Sequence, residues 1–594
     1  GDNAIAPEAQ VIVMTTEVLR NMLYGDLSEV DDLAWVILDE VHFLEDPYRG
    51  AVWEEVVLNL PSSVGIVALS ATVSNADELG AWLSSVRGPT EVVVERQRPV
   101  PLRTHYLVAD RQDGRSIRRL PLMVKGQPSQ EGKRFDSTPI QRGGHRRRGG
   151  RRYSTGRRWA SPRRPAVANE LWRNGMLPAI HFVFSRKGCE DARDSLLRSG
   201  VNFNTVAETQ EVENFVTEML NDVSFQDKQA LGAEHWTEGL SRGVAAHHAG
   251  LIPRFKEVVE GLFASGLLKV VYATETLALG VNLPARSVVI EKLTKFDGKE
   301  HSGLTPAQFT QLTGRAGRRG IDTEGNALVC WSPFVPFADV VKLSASRDFV
   351  LRSAFRPTYN MVANLIANRT REEAELLLSH SFGQFQMDRR TPGKRSLVLS
   401  LEARLRVLEG RGLADSWRLT ARGQPLARVF NEADLLVVES LASGLLDGLE
   451  PADLAAVVSC LTFRRRGRGR STLPSRKGDL SERILGIMEL AEDLVVEERR
   501  HGVSPGAPPD PGFSSSVHRW VAGAELAEVL GDEWSGGEFV RNMRLVGDVL
   551  GQLIEVGVAS FVDPARQALG ALERGLVAAD IPFAGRLGDA KLEL

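Results

Sequence analysis

Between Val11 and Val94, short runs rich in valine and isoleucine alternate with amphipathic stretches. VIVMTT, WVILDE, GIVALSAT and EVVVE read as strands, and NADELGAWL reads as a helix. Strands this apolar, followed by helical periods, fit a buried parallel sheet and an α/β class. A second stretch of the same kind spans 168–345, with strands expected at AIHFVFS, KVVYATE, SVVIE and NALVCW. After Arg347 the strand signal fades. YNMVANLIA, REEAELLLSH and LEARLRVLEGRGLADS show helical spacing, the last stopping at Gly410 and Gly412 as a turn does.

The pattern therefore predicts two α/β lobes over 1–108 and 168–345, a small winged-helix-like domain over 346–428, and a terminal helical bundle over 429–594. The Pro/Gly/Ser-rich stretch VSPGAPPDPGFSSS reads as a loop within the bundle. Between the lobes the order disappears. The tract GGHRRRGGRRYSTGRRWASPRR has no acidic residue and no apolar period, so 109–167 is expected to be a disordered linker, either a solvated tether or one that adds salt-sensitive phosphate affinity.

Composition narrows the class. With 594 residues, 43% of them hydrophobic, the chain can build several packed domains. A net charge of -3 argues against coating nucleic acid by bulk charge, so positive charge has to be read locally. Cys189, Cys330 and Cys460 have no paired spacing, which points away from a disulfide framework or zinc site and toward a reducing, cytoplasmic setting. No apolar run approaches the ~20 residues that cross a bilayer, and no signal-peptide layout opens the sequence, so a soluble protein without a membrane partner is expected.

Candidate chemistry begins in WVILDEVH, where Asp39 and Glu40 follow an apolar strand, at the end where open α/β sheets place ligand-binding groups. Asp39 suits a Mg2+ ion held through water, and Glu40 suits orienting or deprotonating an attacking water in phosphoryl transfer. On these residues alone the simpler reading is an acidic pair that opens the next helix; two segments further along the chain shift the balance. In LSATVSNADEL, Ser70 and Thr72 end another strand and can link a nucleotide site to its surroundings, while Ser74 or Asn75 can cap the next helix. In TPAQFTQLTGRAGRRG, a cap at Thr305 and Pro306 at the first position predict a helix running through Arg318. Such a helix puts Gln311, Arg315 and Arg318 on one face, as phosphate-seeking groups that can stabilise transition-state charge. The alternative is a solvated or backbone-binding basic face.

DEVH, SAT, VVYATETLALGVNLP and QLTGRAGRRG occur in the order and spacing of motifs II, III, V and VI of superfamily-two helicases. MTTEVLRNMLY, RGAVWEEV, VAAHHAGL, FRPTYNMVANLI and SFGQFQ further resemble the superkiller/HelY branch of DExH helicases, which includes the RNA exosome's helicase cofactors. The resemblance implies two RecA-like lobes, ATP and Mg2+ as cofactors, 3′-to-5′ translocation on single strands, RNA as the expected substrate and RNA-decay machinery as a partner. It implies that Thr15, Thr16 and Glu17 lie beside the nucleic-acid backbone. Asp39, Glu40 and His42 belong at the nucleotide, with Ser70 and Thr72 coupling the two. It likewise implies that Phe184, Ser185 and Thr274 meet nucleic acid, that Gly280 and Asn282 approach the nucleotide, and that Gln311, Arg315 and Arg318 complete the site. Arg541 and Arg544, in FVRNMRLVGDVLGQL, match the bundle helix that tracks the strand, with core packing as the equal alternative.

Two features depart from the pattern. No Gly-Lys-Ser/Thr phosphate loop occurs in the sequence, whose opening resembles the middle of a first lobe. That lobe is expected to be N-terminally truncated here, leaving the chain by itself deficient in ATP hydrolysis. SFGQFQMDRRTPGKRS passes directly to LEARLRVLEG, where the eukaryotic exosome helicases carry an arch insertion. A related DNA helicase and a non-enzymatic nucleic-acid-binding fragment are the competing readings.

Overall fold

The structure is a computed structural model. It describes residues 9–25, 30, 32–47, 49–71, 73–95, 97–110, 116–135, 159–278, 283–296, 301–346, 349–391, 396–465, 478–531 and 533–578. Two compact units divide the chain, one formed by Gly1–Val94, Phe349–Val529 and Arg541–Val577, the other by Glu95–Asp348, Leu530–Val540 and Ala578–Leu594.

In the first unit, strands Trp35–Leu38 and Gly65–Ala68 pair in parallel, with Trp35 opposite Gly65 and Leu38 opposite Ala68. One face of this pair is apolar and buried. Val36 and Leu38 pack with Val56 and Val57 of helix Gly50–Asn59 and with Leu79, Trp82 and Leu83 of helix Ala76–Arg87. The runs VIVMTT and EVVVE are not strands: a helix opens at Thr16, and Val13 and Val93 are 94% and 83% exposed. Apolar β-formers become strands only when a neighbouring strand takes up their amides, and among the described residues neither run has one.

The same unit carries the helices read from sequence, Tyr359–Asn368, Arg371–Ser379 and Ser396–Gly410, with Gly412 at a φ of 67° just beyond the last. A short bridge between Ala414 and Leu419 follows. Helices Asp434–Ala442, Pro451–Thr462, Asp479–Arg500 and Ala559–Leu572 build the bundle. Part of the expected loop at 503–516 is helical instead, because Phe513 and Val517 are fully buried and Ser514–Val521 packs on Pro451–Thr462.

The second unit is built on an eight-stranded sheet. Its path runs Ser116–Pro121, Leu102–Asp110, Gly325–Cys330, Ser287–Ile290, Ala179–Phe182, Val270–Ala273, Val244–His247, with Trp159–Ala160 pairing Leu102–Asp110 off that path. Every pairing along this path is parallel except that of Ser116–Pro121. The expected linker is thereby corrected: 116–135 and 159–167 are ordered, and Leu102–Asp110 belongs to this sheet rather than to the first lobe. Tyr106, Leu107 and Val108 are wholly buried, which supplies the driving force. The basic core of the tract, 136–158, lies outside the described residues. Cys189, Cys330 and Cys460 are free thiols buried in separate places. Among the described residues no helix is long and apolar enough to cross a membrane.

Candidate nucleotide and nucleic-acid site

In the first unit the strand Trp35–Leu38 delivers Asp39 to solvent at its carboxyl end. The chain then reverses through Glu40, whose φ of 56° and ψ of 44° are left-handed. A side chain in that region costs about 1–2 kcal/mol, a cost met here by the turn's hydrogen bonds. Asp39 Oδ1 accepts from the Glu40 N–H at 2.9 Å, and the Val41 N–H donates to Leu69 O at 2.8 Å. The last bond lays DEVH directly beside LSAT, with Ser70 exposed; Thr72 lies outside the described residues.

His42 Nδ1 stands 3.2 Å from Glu40 Oε2, without the alignment of a hydrogen bond. Burial pulls this imidazole down from its ordinary value, against the raising influence of Glu40 and Asp39, so it is a neutral ring at pH 7. It stacks on Phe43 with centroids 5.0 Å apart. Among the described residues no group of three or more acidic, His or Cys side chains stands ready to cage a metal. Asp39 and Glu40, two neighbouring carboxylates with solvent access, instead have the hard oxygen donors through which a hydrated Mg2+ would be held.

Thr15 occupies the cap position of helix Thr16–Tyr24 without a side-chain cap bond, and Glu17 Oε1 accepts from Arg49 Nε at 2.7 Å. Burial raises the Glu17 carboxyl, but the Arg49 hydrogen bond and charge carry it below its ordinary value. Asn75, expected as a helix cap, uses its side chain differently. Its Oδ1 accepts from Leu351 N at 2.8 Å and its Nδ2 donates to Leu351 O at 3.0 Å. This fastens the stretch before FRPTYN to helix Ala76–Arg87, where a cap bond would have satisfied only the helix's own amide.

In the second unit Ser185 is exposed and caps helix Arg186–Arg198, its Oγ accepting from Gly188 N at 3.1 Å, while Phe184 is half-buried beside it. Thr274 Oγ1 lies 2.9 Å from Thr276 Oγ1. Gly280 and Asn282 lie outside the described residues. The helix bearing Gln311 starts as expected, with Thr305 and Gln308 forming a reciprocal capping box.

It does not run through Arg318. It spans Pro306–Gly314, with Arg315 at its end, because Gly317 adopts a φ of 92° and the chain bridges to Ala285. Arg315 O accepts from Ala285 N at 2.8 Å, and Gly317 N donates to Ala285 O at 2.7 Å. Gln311, Arg315 and Arg318 therefore do not share a helical face. The Arg318 fork turns to Asp322, with Nε to Oδ2 at 2.8 Å and Nη2 to Oδ1 at 2.9 Å. In helix Gly536–Val556, Arg541 is exposed and Arg544 half-buried, while Phe539, Met543 and Val546 face the core.

Three family descriptions match the chain: the DEAD/DEAH box helicase over residues 2–79, the helicase conserved C-terminal domain over 214–320, and the DSHCT (NUC185) domain over 416–579. The chain belongs to the superkiller/HelY branch of the superfamily-two DExH helicases. It is 46% identical over 421 residues to the probable helicase HelY of Mycobacterium tuberculosis, covering 69% of this chain and 45% of that protein. Superkiller complex protein 2 of Mus musculus is 31% identical over 525 residues, 86% of this chain and 41% of its own length. Exosome RNA helicase MTR4 of Homo sapiens is 37% identical over 398 residues, 66% and 37% respectively. The chain thus spans less than half the length of each of these three relatives.

Superkiller-branch motifs to which no chemistry was assigned have a structural use in this chain. Glu54 of RGAVWEEV is wholly buried, accepts from Ser353 Oγ and from Gly383 N at 3.2 Å, and so ties the stretch just before FRPTYN to SFGQFQ. Sequence reasoning missed this, and missed Asp322 as well. Its four-residue spacing from Arg318 was visible, but the expected helix drew attention to Gln311 instead.

Proposed function

We propose that the protein is an ATP-driven helicase that translocates 3′-to-5′ along single-stranded RNA, in a reducing cytoplasm and alongside RNA-decay machinery. The observation that carries this is the left-handed turn at Glu40, which holds an exposed Asp39 at a strand end with Leu69, the residue that leads into SAT, hydrogen-bonded beside it. Membership in a branch whose named members include an exosome RNA helicase favours RNA over DNA.

Asp39, with Glu40 beside it, is the group that would hold a water-coordinated Mg2+, which supplies charge neutralisation at the phosphates when ATP is bound. Glu40 accepts a proton from the attacking water, and the neutral His42 stays close to that carboxylate without drawing its charge into a full ion pair. Arg315 and Arg318 offer positive charge to the phosphoryl group, and Gln311 offers an amide. Ser70 and Thr72 pass the nucleotide state toward the strand, and Gly280 and Asn282 let backbone approach the nucleotide. Thr15, Thr16, Glu17, Phe184, Ser185 and Thr274 contact nucleic acid, and Arg541 and Arg544 grip the single strand along their helix.

Unwinding of duplexes with matched RNA or DNA tracking strands, each bearing a 3′ or a 5′ overhang, tests this. Activity confined to 3′-overhang RNA supports it, and preference for DNA or for a 5′ overhang refutes it.

A further inference from the structure

Asp322 is an acidic residue to which the proposed reaction assigns no task. Its side chain is only 4% exposed. It sits two residues beyond Gly320, in the short turn after the motif that carries Arg315 and Arg318. Its carboxylate receives three bonds from one residue: the Arg318 backbone N–H at 3.0 Å and Nε at 2.8 Å on Oδ2, and Nη2 at 2.9 Å on Oδ1. The Asp322 N–H returns a bond to Arg318 O at 2.9 Å. Arg286 Nε lies 4.0 Å from Oδ1, a second positive charge on the same carboxylate.

The geometry uses the guanidinium's side edge. A carboxylate on Nε and Nη2 leaves the end edge, Nη1 with the remaining Nη2 hydrogen, outside that pair, and a phosphate can be taken on an end edge in the same forked manner. The turn beneath is also fixed. Gly317 N donates to Ala285 O at 2.7 Å, and Arg98 Nη2 donates to Ala316 O at 2.9 Å. Burial raises the Asp322 carboxyl, but the Arg318 hydrogen bonds and the charges of Arg318 and Arg286 carry it below its ordinary value, so the clamp stays ionised at neutral pH.

We infer that Asp322 is a positioning residue for phosphoryl transfer: it grips the side edge of Arg318 so that the end edge is presented, preorganised, to the nucleotide's terminal phosphate. The inference rests on the proposed ATPase reading of Arg318. Catalysis by a charged donor depends on its being in place before the transition state forms, and a misplacement of about 1 Å costs about 10²-fold. A long arginine without a partner carries rotamer freedom that must be frozen at each turnover.

The test is strand-stimulated ATP hydrolysis by the full-length protein with Arg318→Ala, Asp322→Ala, Asp322→Asn and the Arg318→Ala/Asp322→Ala pair. Asp322→Ala is expected to lower kcat by about 10²-fold while KM for ATP and the Kd for single-stranded RNA stay within about twofold. Asp322→Asn, which keeps the volume and one acceptor, should fall between, and unchanged RNA affinity in it reports a folded protein. The double variant should be no slower than Arg318→Ala alone, because a residue that acts only through Arg318 has nothing left to position. Losses that multiply in the double variant, or a kcat for Asp322→Ala equal to wild type while Arg318→Ala is inactive, would overturn the clamp alone. Undiminished turnover by Arg318→Ala would overturn the reading of Arg318 and the clamp with it.

Discussion

Replacing Glu54 with glutamine should flatten the dependence of stability on pH. The carboxyl is wholly buried; burial raises it from 4.5 to about 7, against the hydrogen bonds from Ser353, Gly383 and Phe382 that favour its charge. A folded-state value above the unfolded one means that the native protein holds the proton more tightly. The stabilisation is therefore full below about pH 4.5 and is lost as pH rises through about 7. Between about pH 5.5 and pH 8 this one group removes about 2 kcal/mol, given 1.36 kcal/mol per unit and the two titration curves. Glutamine cannot ionise, so Glu54→Gln should lack that loss while sharing every other pH-dependent contribution. Urea unfolding followed by tryptophan fluorescence, which Trp53 and Trp82 report from the same core, measures both proteins at both pH values. If wild type and variant lose the same stability over that interval, Glu54 is not an ionising buried carboxyl and the reasoning is wrong.

The long helix Gly536–Val556 offers an internal contrast. A Cβ at Gly537 would lie 2.2 Å from Leu251 O, whereas one at Gly551 meets nothing within 4 Å. Thermal denaturation should show Gly551→Ala stabilising by about 0.5–1 kcal/mol and Gly537→Ala destabilising by about 1–3 kcal/mol despite alanine's better helix propensity. On the same helix, the Arg541→Ala/Arg544→Ala pair should weaken single-stranded RNA binding and reduce the magnitude of the salt slope by about 1.4, two phosphates at ~0.7 each. An unchanged slope assigns those arginines to packing.

Burial on both faces made the second unit's sheet legible. AIHFVFS, KVVYATE, SVVIE and NALVCW all contain strands in which every residue is buried. Leu102–Asp110 was not legible because its first half, LRTH, is polar enough to read as loop, and its partner Gly325–Cys330 lies more than two hundred residues away. VIVMTT and EVVVE failed in the opposite sense, since their composition matches strands but no neighbour among the described residues pairs them. At the candidate site, the acidic pair and the capped start of the motif helix could be read from residue types alone. The left-handed turn at Glu40 could not, because it is set by bonds to Leu69, a residue remote in sequence. Arg318 was misread for a local reason: the helix stops at Gly314, and Gly317 just beyond it takes a positive φ that turns the chain away, a break that Gly314 and Gly317 announce and that the spacing of Gln311, Arg315 and Arg318 obscured.

The most direct measurement is single-strand-stimulated ATP hydrolysis by the full-length protein and by its Glu40→Gln variant, with RNA affinity measured on both. Hydrolysis that RNA stimulates, and that Glu40→Gln abolishes while RNA affinity is retained, is the expected result. RNA binding by both proteins with no hydrolysis by either, or undiminished turnover by Glu40→Gln, would contradict the helicase reading and leave a protein that only holds its strand.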